Sequence, residues 1–309
     1  MTNDKFRLVT RSDFDGLVCA VLLKELDLID DIKFVHPKDV QDGLIEIKHG
    51  DIVANLPYSK EASYVFDHHE SEMTRVGQRG NSYNDPDAPS AARVVWNTFG
   101  GKERFKNISA DMMAAVDKAD SADFTKDEIL HPTGWTLLSF IMDARTGLGR
   151  FRNFRISNYQ LMMNLIELCR EYTPSEILSM PDVTERVDLY FAQQDEFVAQ
   201  LKRLTAVYKN LAYIDLLNED VIYAGNRFMI YALYPDVNVS MHAMWRVNGQ
   251  KIVYAVGKSI FNKTNSVNIG DLMLRYGGGG HANVGTCQID LDQAARVKDE
   301  LIAALTDAG

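Results

Sequence analysis

The first 120 residues alternate between two hydrophobic periods, and this alternation restricts the fold more than any other feature of the chain. Phe6-Arg7-Leu8-Val9-Thr10 is a short β-rich run, and Leu17 to Leu28 carries apolar residues over a helical length. Ile32-Lys33-Phe34-Val35, Asp51-Ile52-Val53-Ala54 and Tyr64-Val65-Phe66 are again strand-like, and helical patterns follow at Ser90 to Phe99 and Ala110 to Lys118. Strands interleaved with helices imply βαβ units and a parallel sheet, whose ligands sit beyond the carboxyl ends of the strands. That rule directs attention to Arg11 to Gly16, Asn55 to Tyr58 and Asp67 to Glu70.

Residues 157 to 209 read as helical, with Val187, Tyr190, Phe191, Phe197, Val198, Leu201, Leu204 and Tyr208 at helical spacing. Strand-like runs then dominate: Leu211 to Asp215, Phe228 to Leu233, Val237 to Trp245 and Lys251 to Val256, with helices at Ile269 to Arg275 and Asp292 to Leu305. The expected architecture is α/β: a parallel-sheet domain over 1–185, a connector helix over 186–209 and a smaller α+β domain over 210–309. A length of 309 residues suits two domains.

Charge and cysteine content narrow the function classes. With 33 basic and 43 acidic residues the net charge is −10, which disfavours wrapping of long double-stranded nucleic acid but leaves short phosphorylated ligands open. Cys19, Cys169 and Cys287 have neither disulfide-framework nor zinc spacing, so a reducing cytoplasm is expected. The start, Met1-Thr2-Asn3-Asp4-Lys5, has no apolar signal core, and no run approaches the roughly 20 apolar residues of a membrane helix. Neither secretion nor a membrane span is expected.

Three segments carry chemistry. Phe66-Asp67-His68-His69-Glu70 closes a strand with two imidazoles and a carboxylate, a donor set that suits Mn, Fe or Zn better than Ca. Ser12-Asp13-Phe14-Asp15-Gly16 places two carboxylates where a helix opens; one of them is explained by capping, two exceed it. Asp117 and Asp120 end a later helix and are further candidate ligands. Downstream, Arg275-Tyr276-Gly277-Gly278-Gly279-Gly280-His281-Ala282-Asn283-Val284-Gly285 contains four glycines in a row, expected either where the backbone nears a ligand or another chain segment, or as a flexible turn. A basic run, Asp143 to Arg155, interleaves arginines with glycines and phenylalanines, which suits either phosphate and base binding or neutralisation of an acidic surface.

In this order, D-x-D-G, D-H-H, a later aspartate and G-G-G-G-H-x-N-x-x-G resemble the DHH phosphoesterase superfamily with its DHH-associated C-terminal domain. The resemblance spans both domains. It implies a Mn2+-dependent (or Mg2+-dependent) phosphohydrolase with a DHH-type catalytic domain and a substrate-binding domain facing it across a cleft. Carried over by position, it makes Asp13, Asp15, Asp67, His68 and Asp117 metal ligands and puts His69 near the transferred phosphoryl group. Gly278, Gly279, Gly280 and His281 match the substrate-binding loop, and Arg93 matches a helix beside the cleft.

Two positions depart from the family pattern. Arg11 stands where a His or Asp often precedes the first motif, and Asn55-Leu56-Pro57 stands where an Asp-x-Pro carboxylate usually bridges two metals. Two divalent ions about 3.5 to 4 Å apart need a bridging anion to offset their repulsion. A neutral Asn55 and a cationic Arg11 therefore point to one ion rather than two. Arg11 then either holds a substrate phosphate or pairs with Asp13 or Asp15.

The expected function is hydrolysis of a short oligonucleotide or linear dinucleotide, with His69, Arg11 and His281 catalytic and Asn55 and Arg93 at the substrate. The alternatives are an exopolyphosphatase-like hydrolase or a catalytically impaired nucleotide-binding protein. A homodimer is compatible with either.

Overall fold

In the computed structural model, which describes residues 5–246 and 249–307, the interleaved pattern becomes a five-stranded parallel sheet. Its strands are β1 (Phe6–Arg11), β2 (Ile29–Val35), β3 (Asp51–Ala54), β4 (Tyr64–Asp67) and β5 (Ser82–Asn84), in the order β2-β1-β3-β4-β5. The order reverses between β1 and β3. In open parallel sheets that point leaves a crevice at the carboxyl edge, where ligands bind. Arg11, Asn55 and Asp67 all stand at this edge. Residues 1–4, read above as lacking a signal core, lie outside the described residues. Among the described residues no helix is long and apolar enough to cross a membrane, and all three cysteines are free and buried.

The chain divides into two compact units, Met1–Leu189 and Tyr190–Gly309. In the first, the helix Phe14–Glu25 is the centre of the core: every residue from Phe14 to Leu23 is buried. It packs on β1 and β2 and on the helices Ala91–Thr98, Ala110–Ser121 and Asn158–Glu171. A helix covered on all sides needs no polar face, which is why Leu17 to Leu23 is uninterruptedly apolar. It begins earlier than the apolar pattern suggests, because Asp13 caps it by accepting from Gly16 N at 3.0 Å.

The second unit contains a six-stranded mixed sheet of β6 (Thr205–Tyr208), β7 (Leu211–Asp215), β8 (Val239–Trp245), β9 (Lys251–Lys258), β10 (Gly279–His281) and β11 (Val284–Asp290). Their order is β10-β11-β9-β8-β7-β6, parallel only between β7 and β8. The helix Leu291–Asp307 packs on β7, β9 and β11.

Three expectations need correction. The stretch 186–209 is not one helix: Pro181–Ala192 ends, Gln194–Leu204 follows, and Thr205–Tyr208 is already strand β6. Phe228 to Leu233 is helical over Met229–Leu233 rather than extended, since a short buried apolar run carries no decisive period. The glycine run is not a loose turn, because Gly279–His281 forms β10 against β11.

The glycines there answer to backbone crowding. A Cβ on Gly278 would lie 2.1 Å from the Thr286 carbonyl oxygen, and one on Gly280 would lie 2.1 Å from that of Val284, whereas one on Gly279 meets nothing within 4 Å. Gly278→Ala and Gly280→Ala should each lower stability by about 2 kcal/mol or more, as overpacking against backbone does. Gly279→Ala should stay within about 1 kcal/mol. Denaturant unfolding of the three variants checks this, and equal losses at all three would contradict it.

β8 places His242 between Ile214 of β7 and Ala255 of β9, where burial pushes its imidazole down to about 4. The unfolded chain takes up this proton first, near 6.5. Stability from the neutral ring is therefore fully present above pH 6.5 and is lost as the pH falls toward 4, by up to about 3 kcal/mol. His242→Leu should flatten the acid limb of the stability profile between these pH values. An unchanged slope would show that other groups set it.

Candidate metal centre and active site

The turn between β1 and the Phe14–Glu25 helix is tight. A Cβ on Gly16 would lie 2.0 Å from the Arg11 carbonyl oxygen, so the glycine of D-x-D-G lets the helix start directly against the strand end. Asp13 then stays at the cap and Asp15 turns inward, 2% exposed. Its two oxygens accept from Ala91 N at 3.0 Å and Ala92 N at 2.8 Å, the first free N–H groups of the Ala91–Thr98 helix. A carboxylate at a helix start is favoured by those donors and by the helix dipole.

Beside it stand His68 and Asp120. Asp15, His68 and Asp120 each offer a ligand atom, and these atoms all lie within 4.8 Å of one another. His68 Nδ1 lies 3.1 Å from the Ala88 carbonyl oxygen, which suits an Nδ1–H donor and directs Nε2 into the cluster. His68 Nε2 is 2.8 Å from Asp120 Oδ2 but makes no aligned hydrogen bond.

The electrostatics show what the cluster lacks. Burial lifts the Asp15 carboxyl well above its ordinary value, Asp120 and Asp13 add to this, and His68 opposes it. Burial works against an imidazolium at His68, yet Asp120, with Asp15 and Asp67 behind it, carries its pKa up to about 9. Asp120 is correspondingly held low by His68, against its own burial. A proton on His68 is here a counter-charge to Asp120 and Asp15. The group could hold a divalent cation in the same place, and its nitrogen and oxygen donors fit Mn2+ better than Mg2+. Asp67 Oδ2 and Asn55 Oδ1 are also buried without a hydrogen-bond partner, as expected of atoms that await a ligand.

The other sequence candidates have different partners. Asp67 Oδ1 lies 2.6 Å from His69 Nδ1. Asp13 is occupied three times: by Gly16 N, by Asn55 Nδ2 at 3.1 Å and by Arg11 Nε at 2.9 Å. Burial raises its pKa, and Arg11 works against that. Asn55 adopts φ of 53°, a left-handed conformation that asparagine tolerates better than most residues. Its N–H donates to the Phe66 carbonyl at 3.0 Å.

Asp117, expected as a ligand, is not part of the Asp15, His68 and Asp120 group. It accepts from Ser90 Oγ at 2.7 Å and from the Arg93 guanidinium, with Nε at 2.9 Å. Arg93, expected at the substrate, is the residue that makes this contact. The two aspartates are one helical turn apart on the Ala110–Ser121 helix, so sequence spacing alone does not separate them. Sequence reading also passed over Glu72, whose carboxylate accepts from Tyr58 N at 2.8 Å and from Arg75, tying the loop after β3 to the helix Glu70–Val76. Gly278, Gly279, Gly280 and His281 lie in the β10–β11 hairpin of the second unit.

Comparison with solved structures finds a pGpG-specific phosphodiesterase, PggH, from Vibrio cholerae, 57% identical over 99% of this chain and 100% of that one, with a TM-score of 0.83. CDC45 from Entamoeba histolytica (10% identity, 98% of this chain and 95% of that one, TM-score 0.55) shares the fold. So does RecJ in complex with Mn2+ from Thermus thermophilus (14% identity, 98% and 52%, TM-score 0.53). No protein-family model matches the chain, and neither does any curated protein.

Asp120→Asn should weaken Mn2+ binding about 10- to 100-fold or more by titration calorimetry, as loss of a metal-site partner does. Asp117→Asn should leave Mn2+ affinity within a few-fold and instead lower the melting temperature, because Arg93 loses its partner. The reverse pattern would return Asp117 to the metal.

Proposed function

The chain belongs to the DHH phosphoesterase superfamily, and on that premise we propose that it is a metal-dependent phosphodiesterase of linear dinucleotides, with pGpG as substrate. The observation that carries this reading is the 57% identity, over 99% of the chain, to a phosphodiesterase specific for pGpG. The local chemistry agrees with it: a carboxylate and imidazole cluster at the switch point of a parallel sheet, flanked by an arginine and a second histidine.

Asp15, His68 and Asp120 would hold the divalent ion, Mn2+ by preference, which when bound supplies Lewis-acid polarisation of a phosphoryl oxygen. The rest of the work falls to the chain. Hydrolysis forms a bond from water oxygen to phosphorus and breaks the bond to the 3′ oxygen of the first nucleoside, giving two molecules of GMP. The leaving oxygen needs a proton. Asp67 Oδ1 at 2.6 Å from His69 Nδ1 fixes a proton on that nitrogen and so assigns proton exchange with substrate to Nε2. Arg11, held at Nε by Asp13, offers its remaining N–H groups to phosphate oxygens.

We also assign one ion per chain. Asp13 is already neutralised by Arg11 and bonded by Asn55, so the flank of the cluster toward β3 has a cation and an amide where a second ion would need anionic ligands.

Purified protein with Mn2+ should convert pGpG to GMP, with turnover abolished by chelation and lowered at least about 100-fold in His69→Gln, the scale of a lost general acid. Chromatography of the products checks this. Cleavage of polyphosphate in preference to pGpG would favour the exopolyphosphatase reading, and binding without turnover would favour the impaired one. Calorimetry should find one Mn2+ per chain, rising toward two in the double variant Arg11→His with Asn55→Asp. Two equally tight sites in the unaltered protein would contradict the single-ion assignment.

A further inference from the structure

The basic run from Asp143 to Arg155 takes no part in the metal cluster, yet its first arginine is built toward it. The helix Gly134–Met142 ends at Asp143, and its Phe140 ring meets Phe124 edge-on at 5.1 Å. Phe124 follows Asp120 by four residues. The Phe140 carbonyl also accepts from Thr146 Oγ1 at 2.7 Å, which fixes the turn Ala144–Thr146 close to the end of the helix that carries Asp120.

Within that turn Asp143 grips its neighbour. Asp143 Oδ1 accepts from Arg145 N at 2.8 Å and from Arg145 Nε at 2.7 Å, with Oδ2 at 3.1 Å from the same Nε. Only the Nε side of the guanidinium is used. Among the described residues its two Nη groups make no hydrogen bond, and the side chain is 44% exposed. The positive charge is nevertheless felt at Asp13 and at Asp120.

Arg11 is held in the same manner. A carboxylate two residues away in the chain, Asp13, takes Nε at 2.9 Å, and its charge too reaches Asp120. Two guanidiniums, each fixed at Nε by a local aspartate with the Nη edge uncommitted, therefore flank one anionic cluster. A planar fork pinned on one side presents two parallel N–H donors on the other, the arrangement that receives two oxygens of a phosphate.

We propose that Arg145 is a substrate-binding residue, its Nη edge receiving a phosphate of the dinucleotide beside the metal cluster and opposite Arg11. This rests on the phosphodiesterase reading, so the test separates the two. Arg145→Gln removes the charge, and Arg145→Lys keeps the charge but not the fork.

Steady-state kinetics on pGpG and on GpG, which lacks the terminal phosphate, would be run beside calorimetric titrations with Mn2+ and, in the presence of Mn2+, with inorganic phosphate. Arg145→Gln should lower kcat/KM on pGpG about 10- to 100-fold, the range of one charge-assisted hydrogen-bonding contact. Phosphate affinity should fall as well, while Mn2+ affinity does not fall and melting temperature stays unchanged; Arg145→Lys should recover part of the loss. Losses on both dinucleotides place the contact at the linking phosphate, and a loss on pGpG alone places it at the 5′ phosphate. Unchanged kinetics with unchanged phosphate binding would overturn the assignment, as would a loss matched by an equal fall in Mn2+ affinity. If the unaltered protein fails to hydrolyse pGpG, the substrate reading falls, and the phosphate titration still decides Arg145.

Discussion

Everything at the candidate site depends on one buried carboxylate. Asp15 sits in the first turn of a helix whose next eight residues are fully enclosed by apolar neighbours, a place where an unpaired charge costs several kcal/mol. The chain meets that cost with two backbone N–H groups from the Ala91–Thr98 helix and with His68 and Asp120 brought alongside. Those partners come from three segments far apart in sequence, so satisfying Asp15 also sets how the helices pack on the sheet.

A second consequence is the sorting of acidic side chains by task. Asp13 caps and pairs, Asp67 orients His69, and Asp117 secures Arg93. Asp15 and Asp120 stand with His68 in one group whose ligand atoms lie within 4.8 Å of one another. A cluster with this much negative charge in low dielectric attracts cations of every kind, and the chain supplies fixed ones in Arg11 and Arg145. Guanidiniums stay charged at any accessible pH.

In the second unit the same economy appears in backbone rather than charge. β10 lies so near β11 that side chains at 278 and 280 are excluded, and Gly270 of the neighbouring helix abuts the Gly280 carbonyl. The run of glycines thus has two explanations at once, tight packing at 278 and 280 and open space at 279. Neither is visible from four identical letters.

The sequence by itself determined the alternation of strands and helices, hence a parallel sheet with its chemistry at the carboxyl edge, and it placed Asp15, His68 and His69 there. Local pattern carries such information because period and strand ends are properties of short segments. What the tertiary structure decided was the choice among equivalents. Asp117 and Asp120 lie on the same helix one turn apart, and only the docking of that helix sets the first against Ser90 and Arg93 and the second beside His68. Phe228 to Leu233 became helix rather than strand because a six-residue apolar run fits either state until its neighbours bury it. Arg145 was one of several arginines in a basic run until Asp143 and the packing of Phe140 on Phe124 aimed it. In each case the deciding contact joins segments distant in sequence, and such contacts exist only once the chain has folded.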